Sequence, residues 1–135
     1  MIYSLNRWEN QYRIRNLVAR SDYVIADRYT PSNLAYGASR GLRLDWLRGL
    51  DKGLPIPSLV IVLDVPVRSS FVRKTKDRDV QERDEKFLNR VKKTYRVLAR
   101  RLGWKTVDAT RPVEEVQATI WKMVTREFTF RNWYG

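Results

Sequence analysis

Leu59-Val60-Ile61-Val62-Leu63 is an unbroken aliphatic run closed by Asp64. A half-exposed strand would interleave polar residues. An unbroken run of this length reads instead as a strand buried on both faces of a parallel sheet, which confines the chain to the α/β class. Its entry, Leu54-Pro55-Ile56-Pro57-Ser58, is stiff and extended, because each proline disfavours the α region in the residue before it. Two other runs end in the same way: Tyr23-Val24-Ile25-Ala26 meets Asp27, and Trp104-Lys105-Thr106-Val107 meets Asp108.

Helical periodicity fills the intervals. Ile2, Leu5, Trp8 and Tyr12 recur at steps of three or four, continued by Leu17 and Val18. Leu34 to Leu50 reads as a second helix, with Leu42, Leu44, Trp46 and Leu47 on its stripe. From Glu82 to Leu102 the residues Phe87, Leu88, Val91, Tyr95 and Leu98 mark one face. The last helix carries Val113, Val116, Ile120 and Val124, and opens after Pro112 with Glu114-Glu115 at its positive end. The expected order is αβαβαβα, a parallel sheet with crossover helices.

Charge bears on the partner. The first 67 residues carry nine basic and six acidic side chains, whereas residues 68–135 carry eighteen and nine. A formal net charge of +12 concentrated in the second half points to an anionic partner such as a nucleotide or nucleic acid, or else to Arg-rich solvated helix faces. The chain has no His and no Cys, which removes zinc, thiol and disulfide chemistry. No apolar run reaches the roughly 18–20 residues of a membrane span, so a cytoplasmic location without membrane contact is expected.

Asp27-Arg28-Tyr29, placed after an expected strand, precedes Thr30-Pro31-Ser32-Asn33-Leu34-Ala35-Tyr36. A carboxylate at the carboxyl end of a parallel strand stands where doubly wound sheets bind ligands, and can hold Mg2+ through water. Arg28 beside it offers a planar fork to a phosphate; the alternative for the pair is a strand-end salt bridge. Ser32 is also suited to cap a helix starting at Asn33. Tyr3-Ser4-Leu5-Asn6-Arg7, the Asp27 segment, Leu54-Pro55-x-Pro57, Leu63-Asp64-Val65-Pro66 and Glu82-Arg83-Asp84 together resemble the thymidylate kinase family, over about residues 1–124. None of the six glycines is followed by Lys, so the sequence contains no Gly-x-x-x-x-Gly-Lys-Ser/Thr. The resemblance therefore implies a P-loop kinase-like three-layer fold, here without its first strand, P-loop and first helix. Residues 1–125 form the kinase-like domain, and 126–135 a basic-aromatic tail.

The resemblance also implies roles. Tyr3 occupies the position of an aromatic that stacks on thymine, and Arg7 that of an arginine reaching the base or nucleotide. Asn33 matches the residue whose amide pairs with the base edge, and Tyr36 packs under the deoxyribose, crowding a ribose 2′-hydroxyl. Bland alternatives are core packing for the tyrosines and a solvated surface for Arg7. Ser32 and Glu82 complete the substrate set. Asp27, Arg28, Arg78 and Arg83 are the catalytic candidates, with Asp27 meeting Mg2+ through water. Arg73, Asp108, Ala109 and Thr110 fall to ATP, the last three in the loop that lines the adenine pocket.

Residues 68–83, basic and poor in helical periodicity, read as a lid over the phosphates, or as a solvated charge run. The implied activity is phosphorylation of dTMP to dTDP by ATP, in a homodimer formed through the first helix. The other reading is a non-catalytic relative that binds nucleotides or nucleic acid through its basic half, since Arg126 to Tyr134 interleaves aromatics with arginines.

Overall fold

The computed structural model describes residues 2–67 and 78–133, with side chains for 4–67 and 84–127. The chain divides into two compact units, residues 1–58 and 59–135.

The first unit is helical. Helices α1 (Ile2–Glu9) and α2 (Gln11–Arg20) meet at Asn10, so the single periodic stripe of the sequence becomes two helices. Backbone bonds still bridge the join, Asn10 N–H to Asn6 O at 3.1 Å and Ile14 N–H to Asn10 O at 3.0 Å. The Asn10 amide adds a bond to Asn6 O at 2.8 Å, the local competition with the helix ladder that asparagine favours.

Helix α3 (Thr30–Ser39) starts three residues before Asn33, with Pro31 in its first turn. Ser32 is thus inside the helix rather than its cap, and its N–H donates to Tyr29 O at 3.1 Å. The expected continuous helix from Leu34 to Leu50 is broken at Gly41, whose φ of +84° allows a Schellman turn in which Leu42 N–H bonds Gly37 O at 3.1 Å. Helix α4 (Leu44–Leu50) then returns against α3. A Cβ on Gly37 would lie 2.6 Å from Leu47 Cδ2, so any larger residue there would have to displace this buried leucine from its place between the two helices. Leu34, Ala35, Leu47 and Leu54 form the core of this unit.

Tyr23–Ala26 is not a strand. These residues lie outside any ladder, and Ile25 is 94% exposed. An extended apolar run becomes a strand only when a neighbour accepts its backbone bonds, and no described residue pairs with it.

The second unit is α/β. Strand β1 (Ile61–Asp64) pairs in parallel with β2 (Lys105–Asp108), Asp64 opposite Asp108. The crossover between them includes α5 (Arg78–Leu102), and α6 (Val113–Trp133) follows β2. Helix α5 begins four residues before Glu82, where the sequence pattern opened it, and so takes in Arg78–Arg83 of the basic stretch. It ends at Gly103, φ +72°, with Trp104 N–H bonded to Ala99 O at 2.9 Å. Val91, Leu98, Ala99 and Val107 are buried here, and α5 packs against both strands. Leu63 is 53% exposed, so β1 is not buried on both faces as its sequence run suggests.

Candidate functional site

In the first unit, polar side chains from α1, α3 and the end of α4 converge. Ser4 and Arg7 lie three residues apart and share a face of α1. Arg7 is only 8% exposed, which contradicts a solvated-surface reading. Its Nη2 donates to Asp51 Oδ1 at 2.8 Å, to Asp51 Oδ2 at 3.0 Å and to Ser4 Oγ at 3.0 Å. Asn33 Nδ2 donates to Asp51 Oδ2 at 3.2 Å and to Ser4 Oγ at 3.4 Å. The Arg7 and Asp51 side chains are 9% and 7% exposed, so this is an ion pair withdrawn from water. Such a pair holds only because further hydrogen bonds satisfy it.

Local folding explains how Asp51 reaches Arg7. Asp51 closes α4, and its N–H donates to Arg48 O at 3.2 Å. The chain turns through Gly53, φ +101°, and Leu54 N–H bonds Asp51 O at 3.1 Å. Trp8 of α1 grips this turn: its Nε1 donates to Leu50 O at 2.8 Å, and its ring lies 3.2 Å from where a Gly53 Cβ would stand. Arg15 Nη2 adds a bond to Gly53 O at 2.6 Å. Leu50-Asp51-Lys52-Gly53 is therefore docked on α1 with the carboxylate facing inward.

Tyr29 lies beneath the pair, with Arg7 Cζ 6.0 Å from its ring centroid. Burial pushes the Tyr29 phenol above its ordinary value; Asp51 adds to the rise and Arg7 opposes it. Tyr29 Oη and Arg7 Nε are both buried with no hydrogen-bond partner among the described residues. Arg28, next to Tyr29, has φ +61°, the left-handed region, and is the one described non-glycine residue there. Its guanidinium Cζ stands 4.9 Å from the Tyr36 ring centroid, a cation–π contact. Asp27 is exposed. Ser32, Asn33 and Tyr36 share α3 and are half-buried.

Of the residues expected to touch an acceptor, Arg7 and Asn33 thus meet in one network, and Arg28 meets Tyr36. Tyr3 lies on α1 and Arg78, Glu82 and Arg83 on the first turns of α5, their side chains outside those described. Arg73 lies outside the described residues. Asp51 was missed by sequence reasoning: its signal, a carboxylate in the Asp51-Lys52-Gly53 turn, reads as a solvated helix end. Tyr29 was quoted only as part of a motif.

In the second unit, functional candidates gather at the carboxyl ends of β1 and β2. The Asp108 carboxylate accepts from Thr110 N–H at 3.0 Å and Thr110 Oγ1–H at 2.6 Å, which closes the Asp108-Ala109-Thr110 turn. These bonds hold the Asp108 carboxyl below its usual range, and the Ala109 N–H is tied to Asp64 O at 3.1 Å. Asp64 pairs with Lys92 at 2.7 Å and Arg96 at 2.6 Å. Burial acts to raise the Asp64 carboxyl, but the hydrogen bonds from Lys92 and Arg96 hold it below its ordinary 3.8. A depressed folded value means that the contribution is complete above the unfolded value and is lost as pH falls through the folded one. Replacing both cations, Lys92→Met with Arg96→Met, should therefore lower stability at neutral pH and flatten its fall below about pH 4, read by denaturant titration at several pH values. An acid limb as steep as that of the unaltered chain would show that Asp64 is not responsible.

Among the described residues no group of three or more His, Asp or Glu side chains is placed to hold a metal. Mg2+ keeps several waters and combines one or two carboxylates with substrate phosphates, so a single exposed carboxylate such as Asp27 has the chemistry to meet it through water. No described helix is long and apolar enough to cross a membrane.

The sequence profile of thymidylate kinase matches residues 1–120. The chain belongs to the thymidylate kinase family. It is 32% identical over 127 residues to the thymidylate kinase of Plasmodium falciparum, which covers 93% of this chain and 60% of that protein. It is 30% identical over 128 residues to the Dictyostelium discoideum thymidylate kinase, covering 95% and 57%, and 39% identical over 137 to that of Thermomicrobium roseum, covering 93% and 65%. The chain thus spans about 60% of the length of these curated relatives. Membership of the thymidylate kinase family agrees with the α/β architecture, the parallel β1–β2 pair and the Asp27-Arg28-Tyr29 segment at the start of α3.

Proposed function

We propose that this chain carries the acceptor half of a thymidylate kinase, binding dTMP for phosphorylation to dTDP by ATP. One observation supports this above the rest: Arg7 and Asn33, on different helices and both singled out as base-facing, reach within 3.4 Å of the same two side chains, Asp51 and Ser4. Tyr3 stacks on the base in this reading, Tyr36 lies under the sugar, Arg28 takes the 5′-phosphate, and Ser32 and Glu82 complete the acceptor set. Packing of Arg28 on Tyr36 supports the last assignment, because it joins the phosphate-binding cation to the ring expected below the deoxyribose.

In the transfer, a 5′-phosphate oxygen of dTMP attacks the γ-phosphorus of ATP, the bond to the β-phosphate oxygen breaks, and ADP leaves. Positioning and charge neutralisation carry such a step. Arg28 holds the attacking phosphate, and Arg73, Arg78 and Arg83 of the 68–83 segment bring positive charge to the transferring group. Asp27 would hold Mg2+ through water, and that ion neutralises charge on the phosphates when bound. The Asp108-Ala109-Thr110 turn faces adenine. A cytoplasmic homodimer completes the reading, with α1 and α2 at its interface; Leu5, Tyr12 and Val18, 60%, 74% and 54% exposed, supply apolar area for it.

Thermal unfolding tests the acceptor site. dTMP should raise the Tm of the chain, and more than its ribose counterpart, since ligand that binds only the folded state stabilises it. Arg28→Ala should abolish this shift and leave the ligand-free Tm close to that of the unaltered chain. A full dTMP shift in Arg28→Ala would remove the phosphate role.

A further inference from the structure

Asp51 belongs to no motif that named the acceptor residues, yet it organises two of them. Both of its oxygens lie on Arg7 Nη2, and Oδ2 also accepts from Asn33 Nδ2. Ser4 Oγ accepts from the same two side chains. Arg7, Asp51, Asn33 and Ser4 therefore form a closed ring of contacts across α1, α3 and the end of α4. The ring fixes the Asn33 amide in one sense. With Nδ2 committed to two acceptors, the carbonyl Oδ1 is the end that this network leaves for a partner. Arg7 keeps a donor in reserve: its Nε is buried and has no partner among the described residues, in a side chain only 9% exposed. Arg7 Nε and Asn33 Oδ1, neither with a partner among the described residues, lie on different helices and complement a base edge that offers a carbonyl beside an N–H. Thymine and uracil present that edge, O4 with N3–H. Cytosine presents the reverse, an amino group beside a bare ring nitrogen.

We propose that Asp51, assisted by Ser4, is a positioning residue that presents Arg7 as donor and Asn33 as acceptor, and so selects thymine or uracil over cytosine in the acceptor nucleotide. The inference rests on the acceptor-site reading above. Asp51 does not touch the base. Its effect is to deny Asn33 the flipped amide that would suit cytosine, and to keep Arg7 from reorienting.

Calorimetric titration of the 135-residue chain with dTMP, dCMP and 2-deoxyribose 5-phosphate, which lacks the base, tests this. Asp51→Asn keeps the size of the side chain but removes its charge and lets either amide turn over. It should weaken dTMP about tenfold, leave 2-deoxyribose 5-phosphate within about twofold, and lower the dTMP-to-dCMP preference. Ser4→Ala removes one acceptor of the ring and should move the same ratio in the same direction by a smaller factor, so the proposal stays testable if the Asp51 variant does not fold. Equal weakening of dTMP and 2-deoxyribose 5-phosphate would make Asp51 a purely structural residue and overturn the proposal, as would an unchanged dTMP-to-dCMP ratio in both variants. Failure of the unaltered chain to bind dTMP at all is a different result: it would overturn the acceptor-site reading and this role with it.

Discussion

A polypeptide of these 135 residues is expected to bind dTMP and yet to release no measurable ADP from ATP. The sequence has no Gly-x-x-x-x-Gly-Lys-Ser/Thr, and therefore no glycine-rich cradle of backbone N–H groups and no lysine for the β- and γ-phosphates. Removing one preorganised donor from a site of developing charge commonly costs ~3–4 kcal/mol, or roughly a hundred- to a thousandfold in rate. Losing the whole cradle costs more, since its donors act together. Family kinases of this chemistry turn over at about 1–100 s⁻¹, so the chain should fall below the detection limit of a coupled ADP assay. Turnover in that ordinary range would mean that another set of groups in the chain holds the donor phosphates. Arg73, Arg78 and Arg83 would be the first to substitute. Binding without transfer, by contrast, would separate the acceptor function from the donor function within one family fold.

The second large effect concerns stability. Asp51→Ala should destabilise the chain by about 3–5 kcal/mol, because it leaves the Arg7 guanidinium buried with no counter-charge. That is a large share of the ~5–15 kcal/mol that holds a typical domain together. The exposed pair Arg43–Asp45 is the internal control: it is as short, 2.6 Å, but its side chains are 83% and 65% exposed, so losing it should change little. Replacing both buried partners, Arg7→Met with Asp51→Leu, should cost less than Asp51→Ala alone, since no unpaired charge remains inside. Urea titration of Asp51→Ala, Arg43→Ala, the Arg7→Met/Asp51→Leu double variant and the unaltered chain gives the comparison. A loss in Asp51→Ala no larger than in Arg43→Ala would show that water reaches Arg7 despite its burial.

Much of the second unit can be read from sequence because its elements are self-contained. The run ending at Asp64 forms β1, the alternation ending at Asp108 forms β2, and Phe87, Val91, Tyr95 and Leu98 lie on one helix. Periodicity reports these directly. Tyr23–Ala26 has an equally convincing pattern, but a strand is a property of a pair, and the pattern carries no information about whether a partner is present. Gly41 was visible as a residue and not as a break, because its neighbours Leu42, Leu44 and Leu47 keep the apolar spacing of a helix across the turn. The site divides along the same line. Arg7 and Asn33 were found through the motifs that contain them, but their meeting was not, since it depends on Asp51, 44 positions from Arg7. A carboxylate near a glycine looks solvated in sequence; only the grip of Trp8 on the 50–53 turn carries it inside.

The backbone at Arg28 has a consequence for anyone who sets out to make this protein more robust. Gly41, Gly53 and Gly103 also have positive φ, and glycine accepts that geometry without penalty. An arginine held at φ +61° forfeits about 1 kcal/mol that glycine or asparagine would recover. A screen that ranks substitutions by thermal tolerance alone would therefore favour replacing Arg28 early. It would discard the side chain stacked on Tyr36, the one that the acceptor reading can least spare. Selection for durability and selection for ligand capture thus pull in opposite directions at a single torsion angle, as expected where activity is kept at the expense of the most stable backbone.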